Sequence, residues 1–392
     1  MTPSVTVPDD VGAGPLAPLS VTGRLDRARG ALLGDGVAEE PLQGLLVTNP
    51  ANIRWLTGFT GSAGVLLVTA VGALLTSDGR YRTQAAEQLA AAGVADEVAV
   101  CIGGVVAQRE ALAGAAGDAE VLGLEASHVS WAALRSWETV FEPCRLVATQ
   151  GVVEGLRVVK DAGEITRMER AAAIADAALG SVLPLLADVG AGRGDQLTES
   201  GFAAALDHAM RVLGAEDRAF ETIVASGPNS AKPHARPGER VLAPGDPVVV
   251  DFGATYDGYR SDMTRTFCLG GEPTGELATV FSVVAASQSA GVASVAPGVV
   301  AGHVDTVCRE VIAASGWAER FEHGTGHGVG LDIHEGPAVG AGSTAILEAG
   351  TVVTVEPGVY LPAVGGVRIE DTLVVTDTGS RPLTSFPKDV PV

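Results

Sequence analysis

Hydrophobic and polar positions divide the chain into two segments with different patterns. In the first segment, short apolar runs alternate with amphipathic stretches, which is typical of an α/β domain. The predicted strands are 44–48, 64–69, 73–76 and 97–102, and the predicted helices are 22–33 and 82–92. Asn49-Pro50 predicts a turn. We place this domain at residues 19–150, after a proline-containing leader at 1–18 that we expect to be flexible.

The second segment, residues 151–392, combines longer amphipathic helices with short β-branched strands. The predicted helices are 162–186, 195–213, 275–295 and 301–315, and a strand is predicted at 222–226. Helices in pairs around antiparallel strands predict an α+β domain.

One hairpin carries two aspartates. A β-branched run ends at Asp251, and Asp257-Gly258 predicts a two-residue turn in which both residues have positive φ. With that turn, the numbers of paired residues sum to about 515, so Asp262 lies opposite Gly253. Asp251 and Asp262 are then diagonal neighbours on one face. Two carboxylates so placed repel each other unless a cation lies between them, which predicts a divalent metal site.

Three later stretches add residues of the same chemical type. His327 lies among four glycines in 323–330, Glu356 ends a β-branched strand, and Glu370 follows an alternating strand. Two Asp, one His and two Glu suit Mn, Co, Zn or Fe better than a thiolate zinc cage. Five ligands exceed the need of one open catalytic ion and suffice for two. Taken singly, each residue is more often a cap, a turn or a structural residue.

The charge and the cysteine content of the chain disfavour several classes of partner and site. The chain has 392 residues, a net charge of −21 and a pI of about 4.6, so we expect neither nucleic acid nor an anionic membrane surface as a partner. Four cysteines without a CxxC spacing predict neither a zinc cage nor a disulfide framework. We expect a reduced, cytoplasmic protein with no signal peptide and no segment that spans a membrane.

The motifs resemble the metallopeptidase family of pita-bread fold that includes aminopeptidase P, prolidase and creatinase-like proteins. The matching stretches are 226–234, 251–266, 323–335, 355–358 and 367–371 in the second segment, and 52–61 and 76–81 in the first. The resemblance implies a pita-bread catalytic domain preceded by a smaller creatinase/prolidase-type N-terminal domain. Methionine aminopeptidases lack that domain, and creatinases lack the full ligand set, so both are disfavoured.

The resemblance also implies the roles of individual residues. The implied ligands of two divalent ions, manganese first with cobalt, zinc or iron as alternatives, are Asp251, Asp262, His327, Glu356 and Glu370, of which Asp262 and Glu370 bridge the ions. The implied catalytic residues are Glu356, His234, His323, His334 and Arg368.

We expect Glu356 to take and return the proton, and His234 and His334 to donate hydrogen bonds to the reacting carbonyl. His323 is expected to contact the substrate on the other side of the bond. For Arg368 three roles stay open: it orients Glu370, binds a substrate carboxylate, or forms a structural ion pair.

The implied activity is hydrolysis of the Xaa-Pro bond at the N-terminus of peptides through a metal-bridging hydroxide. The substrate is a peptide with proline in second position, and the choice between aminopeptidase and dipeptidase stays open. The alternatives are a non-peptide C–N hydrolase or lyase acting on a small molecule, and a metal-free binding module. A homodimer is expected by analogy alone.

Overall fold

The computed structural model describes residues 14–32, 41–193, 196–362, 364–389 and 392. One compact unit is Leu16–Arg157, and the other contains Val158–Val392. Most of the predicted leader lies outside the described residues. The predicted domain limits at 18/19 and 150/151 stay predictions.

The first unit is an α/β structure, as predicted. Its six strands form one mixed sheet in the order β4-β3-β2-β1-β5-β6, in which β1 to β3 pair antiparallel and the other pairs are parallel. The strands are β1 (Gly44–Val47), β2 (Val65–Thr69), β3 (Ala73–Ser77), β4 (Val98–Ile102), β5 (Val121–Glu125) and β6 (Arg145–Thr149). The helices are α1 (Arg24–Leu32), α2 (Pro50–Thr57), α3 (Arg82–Ala91), α4 (Val105–Ala116), α5 (Trp131–Phe141) and α6 (Val152–Arg157).

One local prediction in this unit was wrong. Asn49-Pro50 does not form a simple turn but starts helix α2, because the Asn49 side chain accepts a hydrogen bond from the Ala51 amide and Pro50 occupies the first helical turn. Proline is tolerated there because its missing N–H would have had no partner within the helix.

Four long helices lie among the described residues of the second unit. Helix α7 begins with a capping box, in which Asp161 and Glu164 each accept a backbone N–H of the other. Helix α8 begins at Glu199, four residues after the predicted start, because the side chain of Thr198 caps it; the predicted start, Asp195, lies outside the described residues. The helices are α7 (Ala162–Gly190), α8 (Glu199–Val212), α9 (Gly275–Ser294) and α10 (Ala301–Ala314).

The strands of this unit form four small sheets, whose orders are β12-β9-β8, β14-β13-β15-β18-β19, β16-β17 and β11-β10-β7. All the strand pairs within these sheets are antiparallel. The strands are β7 (Asp217–Arg218), β8 (Ile223–Ser226), β9 (Pro247–Phe252), β10 (Ala254–Tyr256), β11 (Tyr259–Arg260), β12 (Met263–Cys268), β13 (Gly326–Gly328), β14 (Glu335–Val339), β15 (Val352–Val355), β16 (Gly358–Leu361), β17 (Gly365–Arg368), β18 (Asp371–Val375) and β19 (Ser380–Pro382). The predicted α+β class is confirmed.

The hairpin has the predicted register. Tyr256 pairs with Tyr259 next to the turn, and Asp251 pairs with Thr264 further along, so both pairs sum to 515. Asp257 and Gly258 have φ values of 43° and 70°, as the turn requires.

Two helices bear on the expectation about membrane-spanning segments, which stays a prediction. Helices α7 and α9 are long and apolar enough to cross a membrane by length and composition. Each contributes buried residues to a core of the second unit, α7 with Leu179 and Leu186 and α9 with Val280 and Val284. Core helices of this kind pass the same test of length and composition.

A buried cluster fixes strand β18 beside β12. The Arg265 guanidinium donates to the Asp371 carboxylate at 2.8 Å and to the backbone oxygens of Glu370 and Phe386. The other carboxylate oxygen of Asp371 accepts from Gln288 at 2.9 Å and from the Lys388 ammonium at 2.6 Å. The buried charges of Arg265 and Asp371 are thereby paired and hydrogen-bonded. Removing either side chain would leave the other charge buried without this partner.

We predict that Arg265→Leu lowers the free energy of unfolding by about 3–5 kcal/mol, because it removes the buried cation of Asp371, leaves only the part-exposed Lys388 beside that carboxylate, and deprives the Glu370 and Phe386 backbone oxygens of their donor. Urea denaturation of the purified variant measures this loss. The control is Arg193→Ala, whose ion pair with Asp188 is exposed and should be worth about 1 kcal/mol or less. Equal, small losses in both variants would show that the Arg265 cluster does not stabilise the fold.

Candidate metal centre and active site

One cleft in the second unit contains all nine residues predicted for the site. Its volume is about 260 Å³. The predicted residues along it are His234, Asp251, Asp262, His323, His327, His334, Glu356, Arg368 and Glu370, and the apolar lining includes Phe220, Ile223 and Ile333.

The hairpin supplies the two aspartates. Asp251 lies in β9 opposite Thr264 of β12, and Asp262 immediately precedes β12. Side chains of directly paired residues share one face of a sheet, so the confirmed register places both carboxylates in the cleft.

His327 lies between two glycines that allow close backbone approach. A Cβ at Gly326 would lie 2.1 Å from the backbone oxygen of Thr354, and one at Gly328 would lie 2.1 Å from that of Gly336. The glycines therefore let β13 pack against its neighbours, as their number in the sequence indicated.

The tautomer of His327 suits a metal ligand. Its Nδ1 lies 3.0 Å from the Gly328 carbonyl oxygen and donates to it, which leaves the lone pair of Nε2 free. Nε2 lies 3.6 Å from an Asp262 oxygen and 3.5 Å from a Glu356 oxygen. Burial lowers the pKa of His327 to about 4, against the Gly328 hydrogen bond, so the ring is neutral at physiological pH.

Glu356 and Glu370 approach from the other strands. Glu356 directly follows β15 and accepts a 3.3 Å hydrogen bond from Thr354. One oxygen of Glu370 accepts from the Thr264 hydroxyl at 2.7 Å. Val367 and Ile369, which alternate with Arg368 and Glu370, are buried in the core behind the site, as the sequence pattern predicted.

The carboxylates raise one another's pKa values. Burial and then the charges of Glu370 and Asp251 raise the pKa of Asp262 well above its usual value. Burial, followed by Glu356 and Asp251, does the same for Glu370. Such a cluster is unfavourable when fully ionised unless a cation is bound.

Two observations show that these residues fit a metal. Asp262, His327 and Glu370 each offer a ligand atom, and these atoms lie within 4.8 Å of one another. One oxygen of Asp251 and one of Glu370 are buried without a hydrogen-bond partner among the described residues. Buried polar atoms are normally satisfied, so these two oxygens are free for an ion.

Arg368 contacts a different ligand from the one considered in the sequence. Of the three roles left open, the structure shows an ion pair, in which Nη2 donates to Asp251 at 2.6 Å. Its other hydrogen bonds go to Thr264, Tyr360 and the Pro233 carbonyl oxygen. It is linked to Glu370 through Thr264, whose hydroxyl accepts from Arg368 and donates to Glu370, so the orienting role and the contact with a substrate carboxylate stay predictions.

The sequence analysis missed Tyr360. Its buried hydroxyl accepts a hydrogen bond from Arg368 at 2.9 Å and lies 2.8 Å from Nε2 of His323. Because Nδ1 of His323 donates to the Gly324 carbonyl oxygen, Nε2 is the acceptor of the tyrosine proton. Burial raises the pKa of Tyr360 to about 12, so the hydroxyl stays protonated. A tyrosine in the β-strand that follows Glu356-Pro357 was the available sequence signal.

The three remaining histidines lie along the same cleft. The His334 ring packs edge to face on His327, with 4.4 Å between ring centroids. His234 lines the cleft on the side of Phe220 and Pro233. Burial lowers the pKa of His323 to about 4, and the nearby Arg368 contributes in the same direction. Both ring nitrogens of His323 are engaged by the protein, and its contact with substrate stays a prediction.

All four cysteines, Cys101, Cys144, Cys268 and Cys308, are free thiols in the structure. They lie outside the metal-ligand cluster.

Proteins of similar sequence and structure are peptidases by name. The chain is 38% identical over 349 residues to the uncharacterized peptidase YqhT of Bacillus subtilis, covering 89% of this chain and 95% of that protein. The Xaa-Pro dipeptidase structure from Bacillus anthracis superposes with a TM-score of 0.87 at 34% identity, covering 95% of this chain and 99% of that one. The X-Pro aminopeptidase from Thermotoga maritima gives a TM-score of 0.80 at 34% identity, covering 94% and 99%.

Family models match both units. The creatinase/prolidase N-terminal domain matches residues 24–159, and metallopeptidase family M24 matches residues 166–377, which include every predicted ligand. The predicted fold, a pita-bread catalytic domain preceded by a creatinase/prolidase-type domain, is thereby confirmed. The chain belongs to metallopeptidase family M24.

Proposed function

We propose that this protein hydrolyses the Xaa-Pro bond at the N-terminus of peptides with the help of two divalent metal ions. The observation that carries the proposal is the cluster of Asp262, His327 and Glu370, whose ligand atoms meet within 4.8 Å in a cleft. Structural relatives named as Xaa-Pro dipeptidase and X-Pro aminopeptidase support the choice of substrate.

The proposed ligands are Asp251, Asp262, His327, Glu356 and Glu370. Four carboxylates and one neutral imidazole match Mn, our first choice, and also Co, Zn or Fe. When bound, such ions would supply a nucleophile at neutral pH by lowering the pKa of a bound water. Arg368 keeps Asp251 in place through its 2.6 Å ion pair, and Thr264 fixes Glu370 through its hydroxyl.

Glu356 is the proposed proton carrier. Burial raises its pKa to about 8 in the metal-free protein, where Arg368 acts in the opposite direction and Asp251 adds to the increase. Its carboxylate lies in the cleft, where it can accept a proton and return it to the leaving nitrogen.

His234 and His334 are the proposed donors to the substrate carbonyl. Both line the cleft, and donors in these positions would stabilise the negative charge that develops on the carbonyl oxygen. His323 is held in place by Tyr360 and by the Gly324 carbonyl oxygen, and we propose that it contacts the substrate on the other side of the scissile bond.

The competing class is a non-peptide C–N hydrolase or lyase on the same scaffold. The ligand cluster suits such an enzyme equally well, and the names of the structural relatives favour the peptidase. A metal-free binding module is the weaker alternative, because it gives no reason for burying the unpartnered oxygens of Asp251 and Glu370.

We predict that Asp262→Asn lowers kcat/KM for Gly-Pro-Ala by at least about 100-fold and lowers the bound metal per chain, because the amide is a poorer ligand than the carboxylate. Peptide assays and elemental analysis of manganese-reconstituted protein measure both effects. Asp188→Asn, at an exposed position, is the control and should match the wild type. Full activity in Asp262→Asn would contradict the proposed ligand set.

We predict that the metal-free protein loses stability as pH rises from about 6.5 to about 8. Glu356, with a folded pKa of about 8, holds a proton that the unfolded chain has already released, so ionisation opposes folding over this range. His327 and His323 have pKa values lowered to about 4, so they make stability increase with pH. They do so only below about pH 6.5, where the imidazoles of the unfolded chain still bind protons. The expected loss is about 1–2 kcal/mol.

Urea denaturation at several pH values, after treatment with a chelator, tests this expectation. Saturating manganese should abolish the loss, because the bound ions keep the carboxylates ionised. A metal-free protein whose stability rises steadily to pH 8 would contradict the assignment of Glu356.

A further inference from the structure

A second cavity shares part of its lining with the active-site cleft. Both cavities are lined by Phe220, Ile223 and His234, so the second one adjoins the cleft on the His234 side. Its volume is about 280 Å³, and its other lining residues are Glu221, Thr222, Ala235, Arg236 and Pro237.

A dipeptide substrate would place its carboxylate inside the first cleft. The carboxylate of Xaa-Pro is only one residue away from the bond that is cut, and a buried carboxylate needs a cation. Arg368 is the sole arginine or lysine among the described residues that line this cleft. Neutral His323 cannot replace it, because its pKa is about 4.

Arg368 is poorly available for a substrate. A guanidinium has five N–H donors, and the protein engages four of them, with Thr264, Pro233, Tyr360 and Asp251 as acceptors. Its side chain is 3% exposed. Reorienting it toward a dipeptide would break its 2.6 Å ion pair with Asp251.

The second cavity offers a different cation. The Arg236 side chain is 83% exposed and lies 3.3 Å from Glu221, which is 55% exposed. Exposed ion pairs of this kind contribute little to stability, so Arg236 can exchange Glu221 for a substrate carboxylate at low cost.

We propose that the substrates are Xaa-Pro peptides of three or more residues. The residues after proline lie in the second cavity past His234, and Arg236 binds the C-terminal carboxylate of a short peptide such as a tripeptide. This inference rests on the proposed Xaa-Pro hydrolysis and assigns the protein to the aminopeptidase type. Arg236 is a specificity residue that lies apart from the metal ligands.

The experiment compares Gly-Pro, Gly-Pro-Ala and Gly-Pro-Ala amide as substrates of the manganese-loaded full chain. Wild type is measured beside Arg236→Ala and Arg236→Lys, with Arg193→Ala as an exposed-arginine control. The amide substrate lacks only the carboxylate charge, so it isolates the contact assigned to Arg236.

For the wild type we expect a higher kcat/KM for Gly-Pro-Ala than for Gly-Pro. Arg236→Ala should raise KM for Gly-Pro-Ala by about 2- to 5-fold, the range of an exposed charge pair, with kcat unchanged. The amide should show no such change, and Arg236→Lys should restore most of the loss. Arg193→Ala should behave as the wild type.

Two results would overturn this inference alone: a preference of the wild type for Gly-Pro, or an equal effect of Arg236→Ala on the acid and the amide. Failure of the metal-loaded wild type to cleave any of the three peptides would instead overturn the proposed function on which the inference rests.

Discussion

The mutual repulsion of buried carboxylates is the constraint on which the active-site unit depends. Asp251, Asp262, Glu356 and Glu370 face one small cleft, and burial together with their shared charge raises the pKa values of Asp262, Glu356 and Glu370. A chain without a bound ion relieves this repulsion by holding protons. The proposed divalent ions relieve it by supplying positive charge, so metal binding and folding stability are coupled.

A buried guanidinium offsets part of the negative charge of this carboxylate cluster. Arg368 is buried beside Asp251, and its pKa is raised further by Tyr360, Asp251 and Glu356 although burial alone lowers it. The Tyr360 hydroxyl accepts a hydrogen bond from Arg368 and donates one to His323, so it links the two side chains. One guanidinium thereby fixes a carboxylate of the site and, through the Tyr360 hydroxyl, the part of the cleft wall that His323 and Gly324 form.

The hairpin and the ligand types could be predicted from sequence because both depend on local patterns. A two-residue turn determines the pairing of Asp251 with Thr264, and glycine-rich stretches mark where backbones approach closely. The partner of Arg368 could not be predicted in this way, since Asp251 lies 117 residues away in the chain. Tyr360 was missed for a related reason: an isolated tyrosine in an apolar strand looks like a core residue until its hydroxyl partners are known.

The buried Arg265 cluster has a consequence for the order in which the site can be completed during synthesis. Arg265 and the two hairpin aspartates leave the ribosome more than 100 residues before Glu370 and Phe386, whose backbone oxygens Arg265 binds. Until that later segment emerges, the guanidinium has no Asp371 to pair with, and the cleft lacks Glu370. A nascent chain therefore holds half of an acidic cluster for several seconds at ordinary translation rates of about 5–20 residues per second. During that interval, the helices and strands that have already been synthesised surround a cleft that still lacks Glu370.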